Sequence, residues 1–231
     1  MKHLFKTPIE MPRGSHYGSD YWICQSYKIK RRVHMYSMLE FWNFITLEMD
    51  SSVEYFCEQP FEIEIHDEKS EKIRKSVFDF WVLYTDGREE FQEVKYSSEI
   101  TKKNDTPKAI RSKKQIQLQK SWCDINQKNY VVKTEKDLLL GEFYISNLEL
   151  LHHYMIRSSC FQVNNSKKLL NELYTCNLTI SDIISNEIIP SEEIMPVLAM
   201  EYYKGTIDLN LLNRPIDNRT EVSLCEKRSL I

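Results

Sequence analysis

Two apolar-rich segments on either side of an Asp-Gly pair constrain the fold of this chain more than any other feature. The segment SVFDFWVLYTDG runs into Asp86 and Gly87, and the segment FQEVKYSS follows shortly afterwards. Short runs rich in Val, Phe and Tyr are typical of strands, and Asp-Gly is a frequent two-residue turn between paired strands. The sequence therefore predicts a β-hairpin that turns at Asp86 and Gly87.

The segments around this hairpin predict an α/β unit. Met38, Phe41 and Ile45 recur at helical spacing, with Ser37 as a candidate N-cap and Glu40 three positions later as in a capping box. Further strands are predicted for SVEYFCE, FEIEIHD and NYVVKTEKDL, and further helices for residues 109–126 and for ISNLELLHHYMI. The stretch before Ile29 is rich in Gly, Ser and Pro and predicts a partly ordered arm. Strand, hairpin, helix, strand and helix in this order indicate a mixed sheet flanked by helices.

The character of the chain changes at about Ser158. Three short helices are predicted for SKKLLNELYTC, LTISDIIS and SEEIMPVLAMEYYKG, followed by possible strands in TIDLNLLNRP and TEVSLCEK. This order suits a small, mostly helical, winged-helix-like domain. We therefore predict two domains, residues 1–157 with the N-terminal arm and residues 158–231.

Bulk properties exclude several classes of protein. The six cysteines form no close pair, which indicates a reduced cytoplasmic protein without a structural zinc site. The longest apolar runs are too short to cross a bilayer, and the first residues lack the apolar stretch of a signal peptide. A net charge of -3, taken alone, argues against a nucleic-acid partner.

The distribution of charge is more informative than its sum. Residues 101–120 contain seven Lys or Arg and the single acid Asp105, whereas residues 177–210 contain six acids and one Lys. The first region is expected to contact DNA phosphates, and the second is expected to favour protein contacts over DNA. The candidate DNA-binding residues are Lys28, Lys30, Arg31, Arg32, Lys102, Lys103, Lys113 and Lys114.

Three ionisable residues of the predicted hairpin form the candidate catalytic site. Glu93 and Lys95 lie two apart on one strand and therefore face the same side, and strand pairing can bring Asp79 beside Glu93. Carboxylate oxygens of this kind bind Mg²⁺, and a lysine can position water or steady negative charge. Glu40 on the preceding helix would add a further carboxylate. The predicted catalytic set is Glu40, Asp79, Glu93 and Lys95, with Glu40, Asp79 and Glu93 as metal ligands.

The same spacing has a simpler interpretation. An exposed hairpin with alternating charges would also contain an Asp followed at a distance by Glu-x-Lys. The setting of Asp79 between Phe78 and Phe80 favours the catalytic interpretation, because a carboxylate among apolar side chains is costly unless something binds it.

These segments carry a family resemblance. RRVHMYSMLEFWNFITLEMDSSVEYFCEQPFEI followed by VFDFWVLYTDGREEFQEVKYSS resembles TnsA, the endonuclease subunit of heteromeric cut-and-paste transposases. The resemblance covers most of the first 150 residues and implies that Glu40, Asp79 and Lys95 are catalytic. Glu93 departs from a family member that has Gln there, and Phe78 replaces the Pro that often precedes the Asp of restriction-type nucleases.

The resemblance implies a fold and a function. The first domain is expected to be restriction-endonuclease-like, of the PD-(D/E)xK type, and to use Mg²⁺ or, as a substitute, Mn²⁺. Its expected reaction is cleavage of the 5′ strands of double-stranded DNA at transposon ends. The second domain is expected to dock the partner transposase and an AAA+ ATPase regulator. The expected location is the bacterial cytoplasm, in association with the nucleoid and not with a membrane.

Two other functions remain open at the level of sequence. The chain could be a standalone restriction or repair nuclease, which has the same chemistry but a different biological role. It could also be a non-catalytic winged-helix adaptor whose α/β half is a scaffold. A metal-dependent nicking assay separates this adaptor from both nucleases.

Overall fold

The chain divides into two units in the computed structural model, which describes residues 4–9, 20–67, 72–101, 103, 105–157 and 164–225. The first unit comprises Met1–Phe44 and Ser52–Leu138, and the second comprises Ile45–Ser51 and Leu139–Ile231. The predicted boundary between residues 157 and 158 therefore lies inside the second unit.

The elements up to Leu138 comprise both strands and helices. In chain order they are β1 (Trp22–Gln25), β2 (Arg32–Met35), α1 (Met38–Met49), β3 (Val53–Glu58), β4 (Glu62–Asp67), β5 (Lys72–Val77), β6 (Phe80–Tyr84), β7 (Glu89–Val94), α2 (Ser97–Ile100), α3 (Pro107–Ile125), β8 (Tyr130–Lys133) and α4 (Glu135–Leu138). The described strands of the largest sheet are in the order β3-β6-β7-β8, with β7 and β8 parallel and the other pairs antiparallel. This mixed sheet with helices confirms the predicted α/β class and is consistent with a nuclease-like fold.

The predicted hairpin is confirmed as β6 and β7. Gly87 has φ 86°, a conformation that glycine adopts without the steric cost of a Cβ atom. The turn is closed by Gly87 N, which donates to Tyr84 O at 2.9 Å, and by Tyr84 N, which donates to Arg88 O at 2.9 Å. Asp86 Oδ1 accepts from Arg88 N at 3.0 Å, a local bond that explains why Asp favours this position.

Several strands of the first unit differ from the prediction. NYVVKTEKDL was expected to be a strand, but only Tyr130–Lys133 is a strand and Glu135–Leu138 is helical. SVFDFWVLYTDG was expected to be a single strand, but β5 ends at Val77 and β6 begins at Phe80. The break occurs because the chain changes partners: β5 pairs with β4, whereas β6 pairs with β3 and β7. The predicted N-terminal arm contains strand β1, which is stabilised by pairing with β2 and by stacking of Trp22 on Phe41 at 4.5 Å.

Aromatic side chains fill the core on one side of the hairpin. Phe78 is fully buried, and its ring centroid lies 4.7 Å from that of Phe91 and 5.7 Å from that of Trp122. The buried members of this core are Cys57, Ile63, Phe78, Trp81, Leu83, Phe91 and Cys123. Phe78 immediately precedes Asp79, so the core fixes the backbone at the candidate site.

Helix α3 begins two residues earlier than predicted. Thr106 is its N-cap, with a side chain that accepts from Ala109 N at 3.3 Å, and Pro107 occupies the first turn, where its missing N–H costs nothing. The buried positions are Ala109, Ser112, Gln119 and Cys123. Their spacing defines one face of the helix that packs into the first unit.

The second unit contains further helices and a small sheet. Its remaining elements are α5 (Tyr144–Arg157), α6 (Asn164–Leu173), β9 (Leu178–Thr179), α7 (Ile180–Ser185), α8 (Ser191–Tyr203), β10 (Ile207–Leu209) and β11 (Glu221–Leu224), and its described strands are in the order β10-β11-β9. Thr179 and Asp182 form a capping box at α7. The helices and strands predicted beyond Ser158 are therefore present, with β9 in addition.

No helix in the described part of the chain is long and apolar enough to span a membrane.

Truncation of Phe78 tests the aromatic core. We expect Phe78→Ala to lower the free energy of unfolding by about 3–5 kcal/mol, because it leaves a cavity among packed rings. Ile73→Ala on β5 is the control, since Ile73 is 55% exposed and its loss should cost less than about 0.5 kcal/mol. Urea unfolding followed by tryptophan fluorescence measures both values. Equal costs for the two variants would contradict the assignment of Phe78 to the core.

Candidate active site

Asp79 occupies the break between β5 and β6. The ladder between β6 and β7 ends at the pair of Phe80 with Gln92, and Asp79 directly precedes Phe80 at this end of the ladder. Asp79 N donates to Gln92 O at 3.1 Å, and Asp79 Oδ2 accepts from Val94 N at 2.7 Å. The first strand of the hairpin is thus fixed to the second by both the backbone and the side chain of Asp79.

Glu40 lies in the first turn of α1 and closes its N-terminus. Glu40 N donates to Ser37 Oγ at 3.1 Å, and Ser37 Oγ donates to Glu40 Oε1 at 3.0 Å. The predicted capping box is confirmed in part, because the backbone N–H that donates to the carboxylate is that of Tyr36, at 2.9 Å from Oε2, and not that of Ser37. The cap holds the Glu40 carboxylate in a fixed orientation.

Glu93 and Lys95 are bonded to each other at the end of β7. Glu93 is fully buried, and its Oε1 accepts from Lys95 Nζ, whose side chain retains 18% exposure. The prediction that these side chains share a face is confirmed, since alternate residues of a strand point to the same side.

An open cavity of about 1020 Å³ brings three of the four predicted catalytic residues together. Glu40, Asp79 and Lys95 line it, whereas Glu93 lies behind Lys95. Gln59 also lines the cavity, has a left-handed backbone with φ 37°, and donates from Nε2 to Glu40 Oε2 at 3.4 Å. Positive φ is uncommon for a residue other than glycine, and such conformations occur frequently at functional sites.

Gln119 is a site residue that the sequence did not indicate. It is fully buried on α3, and its Nε2 donates to Glu93 Oε2 at 2.7 Å, Ser76 Oγ at 3.1 Å and Val77 O at 3.0 Å. Tyr130 donates its hydroxyl proton to Gln119 Oε1 at 2.7 Å. A polar residue on the buried face of the helix was the available signal, but its partners are distant in sequence.

The carboxyl groups of the site bind protons more tightly than ordinary ones. Burial and the nearby charge of Asp79 raise the pKa of Glu40 to about 7 and the pKa of Glu93 to about 8. Burial also raises the pKa of Asp79, against the opposing effect of Lys95. Burial lowers the pKa of Lys95, but Asp79 and Glu93 outweigh this and raise it above its usual range. The site therefore holds three carboxyl groups against one ammonium group, and burial together with their mutual proximity favours proton uptake by the carboxyl groups.

The donor atoms at the cavity fit a hard divalent cation. No group of three or more His, Cys, Asp or Glu side chains arranged to hold a metal occurs among the described residues. Mg²⁺ commonly takes only one or two carboxylates and completes its shell with water and substrate phosphate. Asp79 and Glu40 provide two carboxylates at the cavity. Glu93 is the third predicted ligand, but its two carboxylate oxygens accept hydrogen bonds from Lys95 and Gln119.

The candidate DNA-binding residues lie in different settings. Lys114 lines the cavity, Lys113 lies 3.9 Å from Asp105, and Arg32 and Lys103 are exposed. Three others make internal contacts: Lys28 Nζ donates to Val53 O, Lys30 lies over the Tyr27 ring, and Arg31 donates to both carboxylate oxygens of Glu58 at 2.6 Å. Lys102 lies outside the described residues. Because Glu58 binds its guanidinium group, Arg31 is not expected to contact DNA.

The raised pKa values of the site predict an unusual pH dependence of stability. A carboxyl group whose pKa is higher in the folded state favours folding at low pH, and this contribution is lost as the pH rises. In EDTA, Glu40 and Glu93 should therefore lower the free energy of unfolding as the pH rises from 4.5 to about 8. Glu40→Gln should flatten this decline, since a glutamine does not titrate.

Urea unfolding at several pH values measures the slope for each variant. Glu54→Gln, a change at an exposed carboxylate of β3, is the matched control and should keep the wild-type slope. An unchanged slope in Glu40→Gln would show that Glu40 titrates as an ordinary surface residue.

Comparison with known proteins adds an independent observation. Residues 50–135 match the family model described as TnsA-like endonuclease N terminal. This range includes Asp79, Glu93 and Lys95, whereas Glu40 precedes it. No curated protein matches the chain. The match supports the family resemblance of the sequence: residues 50–135 are similar to the N-terminal domain of TnsA-like endonucleases.

Proposed function

We propose that this chain is a metal-dependent DNA endonuclease, the TnsA-type subunit that cleaves the 5′ strands at transposon ends as part of a heteromeric transposase. The observation that carries the proposal is the meeting of Glu40, Asp79 and Lys95 at one open cavity of an endonuclease-family domain. An acid, a second acid and a lysine around a sheet end match the needs of phosphodiester hydrolysis. The mixed sheet supports a restriction-endonuclease-like fold of the PD-(D/E)xK type.

Each residue of the site has a distinct role in this mechanism. Asp79 and Glu40 would hold Mg²⁺, or Mn²⁺ in its place, through their carboxylate oxygens. When bound, such an ion polarises the phosphodiester and lowers the pKa of a coordinated water. Lys95 lines the same cavity, where its ammonium group would donate to a phosphate oxygen and offset developing negative charge.

Glu93 and Gln119 support Lys95 from behind. Glu93 accepts from Lys95 Nζ, and Gln119 Nε2 fixes the other oxygen of that carboxylate. This arrangement limits the rotamers open to Lys95, and a fixed donor loses less entropy when it meets the transition state. The same network stabilises a charged lysine at neutral pH, so Lys95 acts as a donor and not as a general base.

A non-catalytic adaptor role does not explain the carboxyl groups at this cavity. Carboxyl groups buried beside one another destabilise a fold unless a ligand offsets them. A standalone restriction or repair nuclease would have the same site and remains the alternative that differs in biological role.

We further propose that the second unit contains a winged-helix-like domain that docks the partner transposase and its AAA+ ATPase regulator. The order α6, β9, α7, α8, β10, β11, with β11 between β10 and β9, supports this architecture. Asp182, Glu187 and Glu192 are exposed, so a phosphate backbone would be repelled there. Glu201, which the sequence placed in this acidic region, is instead buried and paired with Lys204.

Apolar side chains remain exposed beside these acids. Leu150 on α5 and Ile184 on α7 are 37% and 39% exposed and line a groove of about 320 Å³. By contrast, Ile183, Ile194 and Leu198 are buried in the core. An apolar groove bordered by acids fits a partner segment with an apolar face and basic flanks.

The cleavage proposal predicts the effect of Asp79→Asn. We expect it to lower the rate of Mg²⁺-dependent strand cleavage by about 1,000-fold, because one lost metal ligand is worth several kcal/mol in the transition state. DNA affinity in EDTA should stay constant or rise, since a negative charge is removed. Glu54→Gln on the exposed edge of β3 is the control and should cleave at the wild-type rate. Nicking of end-labelled duplex by Asp79→Asn at the wild-type rate would disprove the proposed site.

The docking proposal predicts the effect of truncating two apolar side chains that line the groove. Leu150→Ala with Ile184→Ala should weaken binding of the full chain to its partner transposase or the ATPase regulator by about tenfold, or about 1.4 kcal/mol. Leu140→Ala with Tyr174→Ala removes two other exposed apolar side chains of the second unit and is the control. Calorimetric titration gives both affinities. Equal affinities for the two double variants would exclude this groove as the docking surface.

A further inference from the structure

One face of α3 lines the cavity that contains the candidate catalytic residues. The lining residues of this helix recur every three or four positions: Pro107, Ile110, Arg111, Lys114, Gln115 and Leu118. This spacing defines a single helical stripe. The neighbouring stripe, which includes Ala109 and Gln119, is buried in the first unit. The helix therefore presents Arg111 and Lys114 to the cavity from a backbone that is fixed by packing.

The cations around the cavity differ in what they contact. Lys95 is bonded to Glu93, and Lys75 on β5 forms ion pairs with Glu62 at 2.6 Å and Glu64 at 2.8 Å. For Arg111 and Lys114, no acidic partner lies within ion-pair distance in the described part of the chain. Their positive charge is thus directed at solvent in the cavity.

Strands β4 and β5 also line the cavity, with a smaller excess of positive charge. There Glu62 and Lys75 form a bonded pair beside Arg74. Glu40 and Asp79 also line the cavity, and their carboxylates repel a phosphate group. A phosphodiester near these carboxylates must therefore be held mainly by α3, because positive charge is concentrated on that helix.

The spacing of the two cations suits adjacent phosphates. Residues three apart in a helix are separated by about 4.5 Å along its axis. One DNA strand carries a charge about every 3.4 Å along the duplex axis, and Arg and Lys side chains are long enough to spread further. We propose that Arg111 and Lys114 bind two neighbouring phosphates of the strand that is cut and seat the scissile phosphodiester over Asp79 and Glu40. This inference rests on the proposed nuclease function and identifies the residues that hold its substrate.

The test compares two double variants of the same helix. Arg111→Gln with Lys114→Gln removes two charges from the cavity stripe, whereas Lys108→Gln with Lys120→Gln removes two charges from exposed positions that do not line the cavity. Gln keeps helix propensity and much of the side-chain length. Binding of the full chain to a short B-form duplex is measured in EDTA at several salt concentrations.

We expect the cavity variant to bind the duplex at least tenfold more weakly at low salt. The slope of the logarithm of the affinity against the logarithm of the salt concentration should fall by about two, one for each lost phosphate contact. The control should change the slope by clearly less than one. Equal changes in the two variants, or no measurable duplex binding by the wild-type chain, would overturn the inference.

Cleavage is measured separately with the wild-type chain and Mg²⁺. If the wild-type chain cuts DNA but the two variants have equal slopes, the phosphate contacts are wrong and the nuclease function stands. If the slopes differ as expected but Mg²⁺ and Mn²⁺ both fail to support cutting, the cavity binds DNA and the nuclease function is wrong.

Discussion

The pairing of β6 with β7 is the constraint on which the candidate active site depends. The ladder ends at the pair of Phe80 with Gln92, and the adjoining Asp79 bonds to β7 through both its backbone N–H and its side chain. A slip of one residue would turn every side chain of the strand to the other face. The aromatic core prevents such a slip, since Phe78 and Phe91 would then leave their neighbours. The same aromatic packing therefore determines both the stability of the core and the geometry of the site.

This geometry is maintained against electrostatic repulsion. Glu40, Asp79 and Glu93 are close enough for their charges to raise one another's pKa values or to raise the pKa of Lys95. Fixed dipoles reduce the cost: Ser37 and the backbone N–H of Tyr36 bond to Glu40, and Gln119 bonds to Glu93. These dipoles orient the carboxyl groups but do not neutralise them. A divalent cation would stabilise the ionised form of these carboxyl groups, which links the destabilising feature of the site to its proposed chemistry.

The parts of the site that were predicted from the sequence depend on local rules. The turn at Gly87, the cap formed by Ser37 and Glu40, and the shared face of Glu93 and Lys95 follow from turn chemistry, capping and strand periodicity. The parts that were missed depend on contacts between distant segments. Nothing near Asp79 signals that the chain changes partners there, and nothing near Arg31 identifies its buried partner Glu58. Likewise, the role of Gln119 becomes apparent only when α3 packs against β5 and β7 and Gln119 bonds to Ser76 and Glu93.

Helix α3 contributes both to the proposed chemistry of the cavity and to the proposed binding of its substrate. Its buried face contributes Gln119, which fixes the carboxylate that holds Lys95, and its cavity face contributes Arg111 and Lys114. The two faces belong to one rigid helix that is anchored by its cap at Thr106 and by buried side chains along its length. A displacement of the helix would move the phosphate-binding cations and the support of Lys95 together. In the proposed mechanism, positioning of the phosphodiester and orientation of the ammonium group are thus set by the same packing, which would give the site the accuracy that hydrolysis of a phosphodiester demands.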